Sequence, residues 1–140
     1  MSRVLKPAGR LAVSLWCDIQ ENPYFHTLVE VISVHVGRET ASGLQTAFGL
    51  SAADEIRALL VEAGFKGFEM TIKQLDLALP ELQDFVPRHI SATPMAADFN
   101  AASAVTQQVI IQEVAEQLAQ YGTSTGIRVP FRTHLAMATK

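Results

Sequence analysis

The stretch RVLKPAGRLAVSLW, from Arg3 to Trp16, decides the predicted fold because it joins a tight turn directly to a strand. Pro7 fixes φ at an early position of that turn, and Gly9 tolerates the positive φ that a turn can require. The residues from Arg10 onward are apolar on both sides of a strand, a pattern typical of strands that helices cover on both faces. We therefore expect a central strand close to the start of the chain.

The composition predicts one globular domain, residues 1–140. Hydrophobic residues make up 49% of the chain and charged residues 18%, which suits a packed core and not a disordered segment. The net charge is −3 and the basic residues form no cluster, so we expect no nucleic-acid partner.

The single cysteine, Cys17, cannot form an internal disulfide, which indicates a reducing compartment. No apolar stretch approaches the roughly 20 residues that cross a bilayer, and the start of the chain lacks the order of a signal peptide. We expect a cytoplasmic protein that has no membrane partner.

A helix is predicted directly after the first strand. Asn22 can cap it, Pro23 suits its first position and Gly37 can end it. The following segment, Arg38–Gly49, has no strong period, which predicts a connection without regular structure.

A second helix is predicted in SAADEIRALLVEAGF, where Ser51 and Asp54 approximate a capping box and Gly64 is the stop. Residues 68–75, FEMTIKQL, alternate between apolar and polar side chains. This alternation predicts a strand with one face exposed to water.

The last part of the chain is predicted to contain two helices and a strand. Pro80 opens a short helix that reaches about Phe85 and that Pro87 disturbs. A long helix is predicted for Asn100–Tyr121, followed by a strand within GIRVPFRTHLAMATK. Pro130 cannot donate to a strand ladder, so we expect it at the start of this strand or at a bulge.

Four landmarks of the sequence together resemble class I S-adenosylmethionine-dependent methyltransferases. RVLKPAGRLAVSLW is similar to that family's fifth strand, which a sequence of the form R-x-L-K-P-G-G-x-L precedes. EIRALLVEAGFKGFEM is similar to the next helix and the sixth strand, with A-G-F between them. IRVPFRTHLAMATK resembles the seventh strand, which inserts antiparallel between the fifth and the sixth. The segment from Pro80 to Tyr121 resembles a helical insertion in a subgroup related to the quinone-biosynthesis C-methyltransferases.

The resemblance covers essentially the whole chain and implies an α/β fold, more closely an α+β fragment. We expect a small, mainly antiparallel three-strand sheet in the order first, third, second, packed with about four helices. Residues 80–122 are expected to form the helical insertion.

The chain departs from the family at the cofactor site. Ala8 replaces the first glycine of the usual pair, and the first four strands, the glycine-rich loop and the acidic residue for the ribose have no counterpart. The implied activity is methyl transfer from S-adenosylmethionine to a small molecule, but we expect no cofactor-binding residues and no cofactor binding by this chain alone. Two alternatives stay open: a non-catalytic module that self-associates or binds a small ligand, and a half-enzyme completed by a separate chain.

The resemblance also implies which residues face the methyl acceptor. The end of the fifth strand and the helix after it suggest Trp16 and Phe25, and the insertion suggests Phe85 and His89. A histidine there can act as a general base when its pKa lies near neutral, while plain core packing is the alternative for the aromatic residues. The catalytic residues themselves stay unassigned.

Other reactive side chains form no recognisable site in the sequence. His26 and His35 are nine residues apart, whereas metal pairs on a helix are three or four apart, so we expect no metal site. His134 is expected to be a packed, hydrogen-bonded strand residue. Neither Ser14 nor Cys17 lies in a nucleophile motif.

The first strand also predicts that the chain forms an oligomer. Its neighbour in the family, the fourth strand, has no counterpart here, which leaves one edge of residues Leu11–Trp16 open. The strand contains no Lys or Pro that would discourage pairing with another chain. We expect a homodimer or larger oligomer, formed through this edge.

Overall fold

The computed structural model describes residues 2–140. Its strands are β1 (Arg10–Trp16), β2 (Lys66–Leu79), β3 (Gly122–Thr123) and β4 (Gly126–Thr139). Its α-helices are α1 (Pro23–His35), α2 (Arg38–Gln45), α3 (Ala53–Glu62), α4 (Leu82–Ser91), α5 (Ala96–Ala101) and α6 (Ala104–Gln117). None of the helices in this part of the chain is long and apolar enough to cross a membrane.

The sheet has the strand order β1-β4-β2, and β4 is antiparallel to both of its neighbours. The strands β1 and β2 therefore run parallel to each other on either side of β4. Within the described residues β4 is the central strand and β1 lies at an edge, which corrects the expectation that β1 is central. The two-residue β3 adds a short hairpin at the start of β4. The α/β class and the order first, third, second are confirmed.

Two hydrophobic cores lie on opposite faces of the sheet. The large core packs α1, α2, α4 and α6 against Ile127, Val129 and Phe131 at the start of β4. The small core packs Ile56 and Leu60 of α3 against the other end of the sheet, with Phe65, Ala136 and Ala138. Side chains alternate between the two faces of a strand. The buried residues of β4 are odd-numbered in the large core and even-numbered in the small core, so the two cores lie on opposite faces.

Pro130 lies inside β4, which corrects the expectation that it starts the strand or marks a bulge. It is opposite Asp76 of β2, whereas β1 pairs only with Thr133–Thr139. The N–H of Arg132 points to the β1 side, where it donates to Asn22 Oδ1. Pro130 lies two residues earlier and faces the same side, so its missing N–H costs no ladder hydrogen bond.

The structure has six α-helices in residues 2–140, not about four, because two predictions were wrong. The segment Arg38–Gly49 forms α2 and a short 3-10 turn, and it does so because Ala41 and Leu44 are buried in the large core. The predicted long helix from Asn100 to Tyr121 is divided at Ser103, whose side chain accepts a hydrogen bond from the Thr106 N–H and starts α6.

Pro87 does not stop the helix in which it lies. The helix α4 continues to Ser91 and buries Leu82, Val86 and Ile90 in the large core. Burying three such side chains stabilises the fold by roughly 1.5–3 kcal/mol each. This exceeds the cost of about 3 kcal/mol for a proline inside a helix.

Two smaller predictions about turns and caps were also wrong. The positive φ before β1 belongs to Ala8, at 63°, and not to Gly9. A Cβ on Gly9 would lie 2.8 Å from the Lys6 carbonyl oxygen, so this glycine permits a close approach. The expected capping box at Ser51 is absent from α3, since the N-cap is Ala52 without a side-chain hydrogen bond.

Candidate functional site

The chain after β1 folds back so that the first turn of α1 lies beside Trp16. The residue that holds this turn in place is Asn22, which is 1% exposed. Its Nδ2 donates to the Asp18 carbonyl at 3.0 Å, and its Oδ1 accepts from the Arg132 N–H at 2.8 Å. Asn22 occupies the N-cap position as predicted, but its side chain anchors α1 to β4 and makes no cap hydrogen bond.

An aromatic cluster fills the space beyond the carboxyl end of β1. Its members are Trp16, Tyr24, Phe25, Phe48, Phe85, His89 and Phe131. Phe25 is its centre, with ring centroids 5.1 Å from Trp16, 5.2 Å from Phe131 and 5.7 Å from His89. Edge-to-face contacts of this kind add to the energy of burial and hold the rings in fixed positions.

The helix α4 contributes Phe85 and His89, which are four residues apart and so lie on one face of the helix. Their rings stack at 5.7 Å with an angle of 9°. The hydroxyl of Tyr24 lies 2.8 Å from Nδ1 of His89. Tyr24 was not predicted as a site residue, although a tyrosine next to Phe25 in a predicted core helix needs a partner for its hydroxyl.

Burial keeps both members of this pair neutral near pH 7. It lowers the pKa of His89 and raises the pKa of Tyr24, because the interior disfavours the charged forms. A neutral imidazole carries one proton, so the pair has two arrangements. When Tyr24 donates to Nδ1, the proton lies on Nε2; when Nδ1 donates to Tyr24, Nε2 has a free lone pair. No hydrogen bond within residues 2–140 engages Nε2.

The structure brings together the four residues predicted to face an acceptor: Trp16, Phe25, Phe85 and His89. They lie on one face of the sheet, and Phe25 touches both Trp16 and His89. Much of the cluster is close-packed, and Phe25 is only 8% exposed. That these residues line an acceptor pocket stays a prediction.

Open space adjoins the cluster at Trp16. A cleft of about 350 Å³ is lined there by Ser14, Leu15, Trp16, Ala47 and Thr133. One side of the cleft is the outer part of β1, and the other is the turn that leads from α2. A small planar molecule in this cleft would contact the indole ring directly.

The other three histidines each contact a partner within the fold. His35 joins α1 to α6 through a 2.6 Å contact with Glu113, and His26 lies 3.6 Å from Glu30 on its own helix. His134 is buried and its Nε2 hydrogen-bonds the Ser51 carbonyl at 2.7 Å, as its prediction required. Among residues 2–140, no three His, Cys, Asp or Glu side chains are grouped to hold a metal ion.

Cys17 is buried and unpaired at the end of β1. Burial raises the pKa of its thiol, with a further contribution from Glu21. A protonated, buried thiol is a poor nucleophile. The cysteine therefore fills space beside the aromatic cluster.

In comparisons with known proteins, no protein-family model matches this chain and no curated protein matches its sequence. The topology of the sheet and the side chains at the carboxyl end of β1 therefore carry the functional inference.

Proposed function

We propose that this chain is the acceptor-side portion of a class I S-adenosylmethionine-dependent methyltransferase and binds a small methyl acceptor beside Trp16. The strand order β1-β4-β2 is the observation that supports this proposal. The last strand lies antiparallel between two parallel strands, which is the arrangement of the seventh, fifth and sixth strands in the family that the sequence resembles.

The position of the aromatic cluster agrees with this proposal. In open α/β sheets, ligands bind beyond the carboxyl ends of parallel strands. The strands β1 and β2 run in the same direction; β1 ends at Trp16, level with Lys73, and β2 continues six residues further to Leu79. The helix α4 follows β2 directly and brings Phe85 and His89 against Tyr24 and Phe25 in the first turn of α1.

The residues of this chain do not fit S-adenosylmethionine itself. The turn after β1, residues 17–22, contains no glycine that would let the backbone approach a ligand. The N-terminus of α1 is closed by Pro23 and by Asn22, whose side chain is engaged by β4. We therefore assign the cofactor to residues outside this chain, and propose that the chain alone is inactive.

The chain's own residues can position an acceptor beside Trp16. Placing reactants in fixed geometry is a large part of catalysis for a transfer between two bound molecules. A planar acceptor would lie against the Trp16 indole in the cleft lined by Ser14, Leu15, Trp16, Ala47 and Thr133. His89 does not line this cleft, because Phe25 lies between it and Trp16.

A second candidate is a non-catalytic module that binds a small ligand in the same cleft, favoured by the open space at Trp16. In either case we propose a cytoplasmic location, supported by the free, buried thiol of Cys17. A half-enzyme that gains its cofactor-binding part from a separate chain fits the first proposal.

Trp16 is the only tryptophan, so its fluorescence reports on the proposed site alone. We expect planar phenols to quench it in a saturable manner, and matched cyclohexanols to quench it weakly. In the control variant Trp16→Phe/Val34→Trp, the reporter moves to a side chain that is 75% exposed on α1, and saturable quenching should vanish. Absence of saturable quenching in the unaltered chain would contradict a ligand site at Trp16.

A second experiment separates the enzyme from the binding module. We expect the DNA upstream of the Met1 codon, or a neighbouring gene, to encode a glycine-rich loop after a strand. Co-expression of that segment with this chain should transfer tritiated methyl groups from S-adenosylmethionine to an acceptor that quenches Trp16. Quenching without any methyl transfer would favour the binding module.

A further inference from the structure

We propose that the segment Arg38–Phe48, which joins α1 to α3, is a lid over the ligand site at Trp16. The lid consists of α2 and the short turn after it, and Gly37 and Gly49 lie at its two ends. It moves away from Trp16 to admit an acceptor and closes again once the acceptor is bound. This inference rests on the proposed function, because it assigns the route by which a ligand reaches Trp16.

The lid lies directly against the ligand site. The ring of Phe48, at the end of the lid, stacks on the Trp16 indole with 5.6 Å between ring centroids and 28° between planes. Its neighbour Ala47 is part of the cleft lining. A planar acceptor that stacks on the same part of the indole needs the place that Phe48 occupies. The lid must therefore move before such an acceptor can stack there.

Few hydrogen bonds tie the lid to the rest of the fold. In the described part of the chain, the backbone hydrogen bonds of the lid stay within residues 37–49. One side-chain hydrogen bond joins the lid to another element there, from Thr40 Oγ1 to Asp98 Oδ2 at 2.6 Å, in an exposed position. The lid can therefore separate from the fold without breaking a strand or another helix.

Apolar contacts hold the lid closed. The lid buries Ala41, Leu44 and Phe48 in the large core, whereas α1 contributes six buried side chains. Segments with few buried apolar side chains open locally at a lower free energy than the elements around them. We therefore expect the lid to open while α1, α4 and α6 stay packed on the sheet.

The two ends of the lid can act as hinges. Gly37 is the N-cap residue of α2, has a φ of 145° and makes no side-chain cap. Gly49 follows the turn at the other end. Hinges are element-terminal positions that absorb a change in backbone angles, and they are often small residues. Rotation at these two glycines moves α2 and Phe48 as one unit.

Hydrogen exchange of the unaltered chain tests whether the lid opens, and it needs neither a ligand nor a variant. We expect the backbone amides of residues 42–45 in α2 to exchange at least about 100-fold faster than those of residues 28–32 in α1. Equal rates for the two sets would mean that α2 opens only when the whole domain unfolds. That result would overturn the proposal.

A reversible cross-link tests the role of the lid in ligand entry. A Cβ on Gly43 would lie 3.2 Å from the Cβ of Pro94, which is close to the mean of about 3.8 Å in disulfides. We expect oxidation of Gly43→Cys/Pro94→Cys to slow the saturable quenching of Trp16 by phenols at least about tenfold. Reduction should restore the original rate. The matched control is Gly43→Cys alone, whose rate should not respond to oxidation, since the native Cys17 is buried.

The variant Phe48→Leu tests the contact with Trp16 even if the cross-linked variant fails to fold. Because Phe48 occupies the part of the indole that the acceptor needs, we expect its replacement to strengthen the binding of phenols about threefold. The matched control is Phe65→Leu, which removes an equally buried ring from the small core on the opposite face. This control should leave the affinity for phenols unchanged.

Two results with phenols would also contradict the lid. One is an oxidised double variant that is quenched as fast as its reduced form, and the other is a folded Phe48→Leu variant that binds phenols no better than the unaltered chain. If phenols do not quench the unaltered chain at all, the proposed ligand site fails. Hydrogen exchange then still decides whether the segment opens, so the two proposals are judged separately.

Discussion

The hydroxyl of Tyr24 lies 2.8 Å from Nδ1 of His89 and joins the first turn of α1 to α4 across 65 residues of sequence. Removing this hydroxyl leaves Nδ1 without its partner in a partly buried place. We expect Tyr24→Phe to lower the free energy of unfolding by about 1–3 kcal/mol, measured by urea denaturation.

The matched control for Tyr24→Phe is Tyr121→Phe. Tyr121 packs at the margin of the large core, and its hydroxyl has no hydrogen bond within residues 2–140. We expect Tyr121→Phe to alter the free energy of unfolding by no more than about 0.5 kcal/mol. Equal losses for the two variants would show that the contact with His89 does not stabilise the fold.

Stability should depend on pH through His89. Burial lowers the pKa of His89 in the folded state below its ordinary value of 6.5, so the unfolded chain binds more protons as the pH falls. The contribution is present above pH 6.5 and is lost as the pH decreases through the lowered pKa. Between neutral and mildly acidic pH, we expect the free energy of unfolding of His89→Gln to fall less than that of the unaltered chain. Parallel pH profiles for the two proteins would contradict this assignment.

Gly126 should be the least replaceable glycine. A Cβ at this position would lie 2.1 Å from the Leu79 carbonyl oxygen, and its φ is 140°. Gly37 has a similar φ of 145°, but a Cβ added to Gly37 would have no atom within 4 Å. We expect Gly37→Ala to cost about 1–3 kcal/mol from backbone strain alone, and Gly126→Ala to cost clearly more. Thermal unfolding of the two variants makes the comparison, and equal costs would mean that the strands separate easily at this point.

Titration calorimetry should detect no tight binding of S-adenosylmethionine to the 140-residue chain. The reason is the turn after β1, which has neither a glycine nor a free helix N-terminus. Saturable binding stronger than about 10 μM, roughly −7 kcal/mol, would mean that residues of this chain form a cofactor site after all.

The three long strands were predictable from their patterns and from the turn residues at their ends, whereas their order came from the family resemblance. The helix α2 was not, because eight residues with two buried side chains, Ala41 and Leu44, show too little periodicity. The break between α5 and α6 was not predicted, for a different reason. Ser103 lies within a nearly continuous helical pattern, and only its hydrogen bond to the Thr106 N–H identifies it as a cap.

The candidate site was only partly predictable. The family resemblance named Trp16, Phe25, Phe85 and His89, and the structure brings them into one cluster. The bond between Tyr24 and His89 could not be read from a single sequence, because residues 65 positions apart meet only when α4 folds over α1. Pattern and propensity are local signals, and this contact depends on how the helices pack.

The central position of β4 has a consequence for synthesis on the ribosome. β4 is the last strand to be made, and both β1 and β2 pair with it and not with each other. The end of β1 precedes the end of β4 by 123 residues, a wait of roughly 6–25 s at about 5–20 residues per second. Throughout that time the nascent chain exposes Leu11, Val13 and Leu15 without a strand partner. The three-strand pairing can therefore form only once β4 has been made, and until then this apolar strand stays unpaired in the nascent chain.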